Sequence, residues 1–397
     1  MSDITKIDIL PNYYLNEDGT FNLEEALKLS GKIAGVCYDK EGFDHLLKES
    51  EEKTNRRIAM TLDNGHHSVY DHISISFNIR NIPKILAMVI NNEHQYTTSE
   101  KSARYTPVIA KEDSLISEKE QLLYDKWMKI FQRLITEKYG YVYDKNKVKK
   151  LAQENARYLV TVFMPTEMIY TTTLRQINYI ASWMSDYIKS ANDEFEKKLA
   201  SKMNDFILEL SRLNVLKKEL MTNDKCRKLS LFGEDLKDNT IYFDEVYSTT
   251  YKGSYAQLAQ AHRHRTLDYQ IERLKEKEYY IPLIIQDDEE LVKEWLHDME
   301  TVSDCYPQGE MILISEKGKY EDFILKLKER LCSAAQLEIA LQSEATLLKY
   351  QQELKNKNHR LVSDIAKYTR GARCTFPDFK CTSDCKFKEG KLLTRKI

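Results

Sequence analysis

Ile73-Ser74-Ile75-Ser76-Phe77-Asn78-Ile79 alternates apolar and polar residues, and Pro83-Lys84-Ile85-Leu86-Ala87-Met88-Val89-Ile90 follows four positions later. A period of two marks a strand with one buried face. Pro83 breaks that strand, and its fixed φ suits the start of a helix, which continues through Ile85, Leu86, Met88 and Val89. The strand over 71–79 argues against an all-helical protein and for an α+β fold.

Outward from this junction the chain is helix-rich. Residues 23–36 predict an amphipathic helix with Leu27, Ile33 and Ala34 near one face. Residues 117–138 predict a longer one, opened by a capping box of Ser117 and Glu120 and striped by Leu123, Trp127, Ile130, Phe131 and Leu134. A third runs over 189–213 through Phe195, Leu199, Met203, Phe206 and Leu210. Polar residues then dominate 214–240, which reads as a linker. Beyond it the order returns: a β-like segment at 241–250, Gly253-Ser254, and a helix carrying Ala256, Leu258 and Ala259. Apolar runs at Ile281–Ile285 and Met311–Ile314 precede a long helix expected over 320–355. Repetition at this period predicts a domain duplication rather than a solenoid. The expected division is a first repeat over 1–213, the linker 214–240, a second repeat over 241–360 and a tail over 361–397.

The chain has 397 residues, and its 60 Lys+Arg nearly cancel its 62 Asp+Glu. A net charge of −2 gives no electrostatic case for nucleic acid as a partner, though local basic clusters suit a small anionic ligand. Only 12 Gly and 7 Pro occur, as expected of a helical composition. No stretch approaches the roughly 20 apolar residues of a membrane span, and the N-terminus lacks the pattern of a signal peptide. A cytoplasmic protein with mostly reduced cysteines and no membrane association is the expectation.

Several local patterns stand in a specific order. Gly65-His66-His67-Ser68-Val69-Tyr70-Asp71-His72 precedes the strand, and Ser102-Ala103-Arg104-Tyr105 follows it, with Glu100 two residues ahead. Gln260-Ala261-His262-Arg263-His264-Arg265 lies in the second half, as does Arg330-Leu331-Cys332-Ser333-Ala334-Ala335-Gln336-Leu337-Glu338-Ile339. Together these resemble the flavin-dependent thymidylate synthases. That family carries His-x5-His ending in an acidic residue and His, then a strand, then Gln-x-x-Arg-His-Arg, Ser-x-Arg-Tyr and a closing Arg-x4-Ala-Gln-x-Glu-Ile helix. Asp71 replaces the more usual Glu. The first half reads Asn92-Glu93-His94 where Arg-His-Arg belongs and Val89 where the Gln belongs. The second half lacks Ser-x-Arg-Tyr, with Arg273 at the Ser position. Aligning Arg263-His264-Arg265 on Asn92-Glu93-His94 also sets Ser254 opposite Pro83. Over 157–195 the first half matches the closing helix weakly.

The resemblance implies two diverged copies of the family's fold, each a small, mainly antiparallel sheet with long helices. It implies an FAD-dependent methyltransferase converting dUMP to dTMP, with methylenetetrahydrofolate and NADPH as co-substrates. Such a site must hold a phosphate, polarise a uracil and stack a flavin, demands met by fixed Arg and Ser donors. By the match, His66, Ser102 and Arg104 are catalytic, and Glu100, Ser102, Arg104, Tyr105, Arg175 and Gln260 bind substrate. Arg263, His264, Arg265 and Arg330 contact the flavin. The bland alternatives are a polar loop at Ser102–Arg104, a solvated basic face at Arg263–Arg265, a surface Arg175, and a buried structural pair of Arg330 and Gln336. Three adjacent groups able to carry positive charge at 263–265 would repel without an anion among them. His66, His67 and His72 lack a fourth partner for a metal, and for the latter two packing is as good a reading as an active role.

The family assembles four identical chains, so a homodimer of fused repeats acting as a pseudo-tetramer is the expectation. Each active site would draw Ser102 and Arg104 from one repeat and Arg263–Arg265 from the other. Cys374, Cys381 and Cys385 stand apart in a loop-like tail. They suggest zinc, with Cys305, Cys332 or a His as fourth ligand, or else a free reduced tail or an iron–sulfur site. Two rival readings stay open: another flavin-dependent enzyme acting at C5 of a pyrimidine nucleotide, such as a hydroxymethylase, and a degenerate paralogue without activity.

Overall fold

The computed structural model describes residues 4–102, 116–223, 226–233, 241–380, 385 and 395–397. The order begins β1 (Lys6–Ile9), α1 (Leu23–Gly35), α2 (Phe43–Leu47), α3 (Glu51–Asp63), β2 (Ser74–Pro83), α4 (Lys84–Ile90) and β3 (Tyr96–Glu100). It continues α5 (Glu118–Tyr139), α6 (Lys145–Ala156), β4 (Pro165–Thr173), α7 (Leu174–Ser190) and α8 (Glu194–Arg212). Then come β5 (Tyr242–Phe243), β6 (Val246–Ser254), α9 (Tyr255–Ala261), β7 (Asp268–Arg273) and α10 (Glu289–Thr301). β8 (Met311–Lys319), α11 (Tyr320–Arg330), α12 (Leu337–Asn356) and α13 (Val362–Ile365) complete it.

Contacts divide the chain into two units, one of Ser2–Lys101 with Pro165–Ser230, the other of Ser102–Met164 with Leu231–Ile397. Each holds a four-stranded antiparallel sheet, so the fold class is α+β. The first sheet runs β1-β2-β4-β3 and the second β5-β6-β8-β7, the same order by position in the chain. Their junctions also correspond. Pro83 precedes a seven-residue helix and so does Ser254. β4 and β8 are nine residues each, and each feeds directly into a helix.

In the first unit Ile75, Phe77 and Ile79 are buried, as the alternation requires. The strand itself starts later and runs further than 71–79: residues His67–His72 form a 3₁₀ turn, and β2 reaches Pro83 past an irregularity where Asn81 takes φ 57°. The helix expected over 189–213 is two elements. α7 ends at Ser190, and Asp193 with Glu196 forms a capping box that starts α8 afresh.

In the second unit the capping box of Ser117 and Glu120 is present. The apolar stripe it starts is buried against α10, where Trp127 meets Trp295 edge-on at 4.8 Å and Phe131 lies 5.6 Å from Trp295. This packing groups α5 and α6 with the second sheet although they precede it in sequence. The single helix expected over 320–355 is broken between Arg330 and Leu337. Turns at Leu331–Gln336 bury Cys332 and Ala335, and the Arg373 amide donates to the Leu331 carbonyl at 2.7 Å. Ile281–Ile285 lies outside the strands and places Ile285 in the core.

Beneath the second sheet, Glu316 and Lys326 are fully buried and bonded at 2.6 Å. Tyr247 and Tyr251 also donate to the Glu316 carboxylate, at 2.5 and 2.8 Å. Burial pulls the Lys326 pKa down, and Glu316 opposes that. Among the described residues no helix is long and apolar enough to cross a membrane.

Glu316→Ala should cost about 3–5 kcal/mol because it strands a buried ammonium, whereas Glu316→Leu with Lys326→Met should recover most of the loss. Urea unfolding of the three proteins checks this. Equal losses in the single and double variants would refute it.

Candidate functional site

In the second unit, the two motifs that lie far apart in sequence meet. Ser254 caps α9 by accepting from the Gln257 amide at 3.0 Å. The same serine donates its own amide and hydroxyl to Glu338, at 2.8 and 2.7 Å. Tyr158 donates to Glu338 at 2.7 Å. Gln336 bridges onward: it donates to Tyr158 Oη and accepts from Gln260 and, at 2.6 Å, from Arg157. Burial pushes the Glu338 carboxyl upward in pKa, and these donors pull it back. Tyr158 is raised well above its ordinary value, first by burial and then by Glu338.

Arg330, at the end of α11, completes the cluster from the other side. Its Nε donates to His264 Nε2 at 2.8 Å, and its Nη2 donates to the Gln260 carbonyl at 3.1 Å. His264 must therefore present Nε2 as an acceptor, with its proton on Nδ1. Burial, then Arg330 and Lys326, holds its pKa well below the usual value. The expected trio of cations at 263–265 is thus a neutral, buried imidazole between two exposed arginines, Arg263 and Arg265. An exposed pair of guanidinium groups on the turn between α9 and β7 can hold an anion such as a diphosphate. Arg330 and Gln260 are buried and face inward partners. The buried Oε1 of Gln260, and the Oε1 and Nε2 of buried Gln257, have no hydrogen-bond partner among the described residues.

In the first unit, the expected substrate residues fall at two places. His66 is exposed at the entrance to the 3₁₀ turn, while His67 is buried, its Nε2 at 3.1 Å from the Leu62 carbonyl. His72 is exposed. Asp71 accepts from Thr173 Oγ1 at 2.7 Å and pairs with Arg175. The turn and the start of α7 are therefore tied together by charge. Glu100 forms a closed pair with Lys84, both side chains 7% exposed. It sits opposite Met168 on β4, whereas Arg175 follows Thr173, so roughly 17 Å of strand separates the two groups. Within one chain the first unit does not gather them. Ser102 belongs to the second unit, and Arg104 and Tyr105 lie outside the described residues.

Of the tail cysteines, Cys374 is exposed on a 3₁₀ turn, Cys385 is half-buried, and Cys381 lies outside the described residues. Cys305 is held to Ser117 at 3.7 Å, and Cys332 is buried. Among the described residues the grouping with metal-ligand chemistry is Asp244, Glu245 and His359. Leu361 donates its amide to His359 Nδ1 at 3.2 Å, so Nε2 carries the proton and faces Asp244 at 2.9 Å. A metal needs that nitrogen's lone pair. Arg360 on Glu245 at 2.7 Å and Lys357 on the Phe243 carbonyl at 2.9 Å add to a clasp on the β5–β6 turn.

Two groups here escaped the sequence reading. Tyr158 became a partner of Glu338 through a fold contact with no local signature. Glu93, read only as a lost motif position, is fully buried and paired with Arg227.

The neutral state of His264 has a measurable consequence. Its folded pKa lies below the unfolded one, so the unfolded chain binds more protons and this contribution fades as pH falls through about 6.5. By NMR the ring should stay neutral through the pH range in which a free histidine protonates. Arg330→Met should move its titration upward. An ordinary inflection near the free-histidine value in the unmodified protein would contradict the geometry.

Comparison with known proteins finds a family similarity over part of the chain. Residues 22–205 match the profile of the thymidylate synthase complementing protein family, Thy1. A flavin-dependent thymidylate synthase of Clostridium tetani is 27% identical over 168 residues, covering 38% of this chain and 66% of that one. One from Pyrococcus furiosus is 24% identical over 148 residues, covering 36% and 57%. The chain thus spans less than two thirds of the length of either relative. The Helicobacter pylori thymidylate synthase X solved with FAD and dUMP is 11% identical, and the alignment covers 55% of this chain and all of that one. Its TM-score of 0.30 is too low to carry an argument. Over residues 22–205 the sequence is thus similar to the flavin-dependent thymidylate synthases.

Proposed function

We propose that the chain is a flavin-dependent thymidylate synthase built from two fused, diverged repeats of the family domain, converting dUMP to dTMP. The observation that carries this reading is the pair of sheets with one strand order and matching strand–helix junctions, Pro83/α4 and Ser254/α9. The family profile covers the first copy, and the second carries the Gln260–Arg265 and Arg330–Ile339 elements.

On this reading Arg263 and Arg265 hold the diphosphate of FAD, and His264 with Arg330 fixes the turn on which they stand. When bound, the flavin supplies the hydride that reduces the transferred one-carbon unit, with NADPH and methylenetetrahydrofolate as co-substrates. Ser102 and Arg104 bind the nucleotide's phosphate or uracil, with Glu100 and Tyr105 beside them. Arg175, held by Asp71, serves a nucleotide of a neighbouring copy. His66, exposed at its turn, orients the uracil. The separation of Glu100 from Arg175 along β4 supports a site shared between copies, and so a dimer of chains. The tail cysteines stand apart from this chemistry.

The purified protein should show flavin absorption bands that shift when dUMP is added without oxygen. Arg263→Ala and Arg265→Ala should each weaken FAD binding by about tenfold or more, the scale of a charge-assisted hydrogen bond. Ser102→Ala should leave FAD bound but remove the dUMP response. A colourless protein that FAD cannot reconstitute would end the proposal.

A further inference from the structure

The turn after α4 in the first unit occupies the place that the turn after α9 has in the second. Glu93 is the third residue past the end of α4, and His264 is the third past the end of α9. Both side chains are buried and both meet a guanidinium. The source of that guanidinium differs. On His264 it is Arg330 of the helix following β8, whereas on Glu93 it is Arg227, from the segment that follows α8.

Arg227 and Ser230 of that segment are both bound. The Ser230 amide donates to Glu93 Oε1 at 2.6 Å, and Arg227 pairs with the other carboxylate oxygen. Asn92 Nδ2 donates to Ser230 Oγ at 2.8 Å, and that hydroxyl donates to the Asn92 carbonyl at 2.9 Å. The Arg227 guanidinium lies 4.0 Å from the ring centre of Trp183 on α7. Asn223 anchors the approach, accepting from the Arg227 amide at 2.8 Å and donating to Asp186 of α7 at 2.9 Å. Leu229, between the two contacts, is 1% exposed.

The contrast lies in what each turn offers outward. Arg263 is exposed, and Asn92, its counterpart, is 4% exposed beneath the strap. The buried acceptor is a neutral imidazole in one and a carboxylate in the other. A carboxylate at that position repels a phosphate and needs a cation at close quarters, and the chain supplies one from within.

We propose that residues 226–230 are a resident strap that closes the first repeat's copy of the ligand turn to dinucleotides, so that each chain holds one flavin site rather than two. This rests on the flavin reading given above. The anion site of the first copy has become a self-binding site, with Arg227 supplying the cation that the buried Glu93 carboxylate requires. Glu93 is the residue that fixes the strap, through one ion pair and one backbone amide.

Two measurements on the full chain test it. Equilibrium dialysis with FAD should saturate at one equivalent per chain, and two equivalents would overturn the closure while leaving the flavin reading intact. Hydrogen exchange supplies an arm that needs no ligand. The Ser230 amide should be protected, and Arg227→Ala should speed its exchange by about tenfold or more with the amides of β2 and β4 unchanged. A Ser230 amide that exchanges at the unprotected rate in the unmodified chain would overturn the strap. Should no FAD bind, the flavin reading falls and exchange alone judges the strap. Glu93→Gln keeps the acceptor for Ser230 but loses the charge for Arg227, so it should loosen the strap less than Glu93→Ala. The reverse order would also count against it.

Discussion

A carboxyl group without water must find donors, and Glu338 finds three, from the amide and hydroxyl of Ser254 and the hydroxyl of Tyr158. Ser254 is at once the end of β6 and the cap of α9, so the first turn of α12 is fastened to the strand–helix junction of its own unit. Tyr158, beyond α6, brings the helical segment onto the same point. Gln336 and Arg157 extend the network, and Arg330 closes it on His264. Each member satisfies another's buried polar group, which makes the arrangement all-or-none. It helps to fix where Arg263 and Arg265 emerge, because the turn between α9 and β7 is held by the Arg330 side chain as well as by its own backbone, the His264 amide donating to the Ala261 carbonyl at 2.9 Å.

The fold was legible where periodicity and punctuation agree. Ile73 to Ile79 could only be a half-buried strand, Pro83 could only end it, and the capping box at Ser117 had its helix. Long apolar patterns misled. The stripe from Tyr320 to Tyr350 keeps helical spacing across a break that is set by tertiary contacts at Leu331–Gln336, and no local residue there is a strong breaker. The grouping of α5 and α6 with the second sheet was equally unreadable, since a stripe headed by Trp127 does not say which tryptophan it will meet. At the site, motif spacing brought out Gln260, Arg330, Gln336 and Glu338, which do converge. Spacing could not separate side chains that support from side chains that face outward. Arg330 and Arg263 read alike as cations, yet one is buried against His264 and the other is exposed.

Charge placement distinguishes the two otherwise similar units. Both use a short helix, a tight turn and a buried group met by a guanidinium. Where the buried group is an imidazole, the guanidinium can remain on a neutral partner and the flanking arginines stay outside. Where it is Glu93, the charge demands its own counter-ion, and the chain draped over it covers Asn92 as well. Burial pushes the Glu93 carboxyl up in pKa while Arg227 and Ser230 act to keep it ionised. A buried carboxylate at such a turn, unlike an imidazole, thus favours a cation drawn from the chain over an anion.

A symmetric assembly of identical chains cannot lose any element, because each residue appears in every site. Fusion removes that constraint. Once two copies are covalently joined and occupy different positions, each need keep only the parts its own position uses. On the proposed reading complementary loss is the expected course, with the Ser102–Tyr105 motif kept in the first half of the sequence and Arg263–Arg265 in the second, rather than even decay in both. The strap carries the same logic one step further. A turn relieved of ligand binding still contains backbone and side-chain groups shaped to meet an anion or a cation, and these must be satisfied when the ligand no longer comes. The segment following α8 is covalently tethered nearby, so its effective concentration at the turn exceeds that of any free ligand. On that reading Arg227 and Ser230, through their bonds to Glu93 and Asn92, make the turn part of the fold from within the chain.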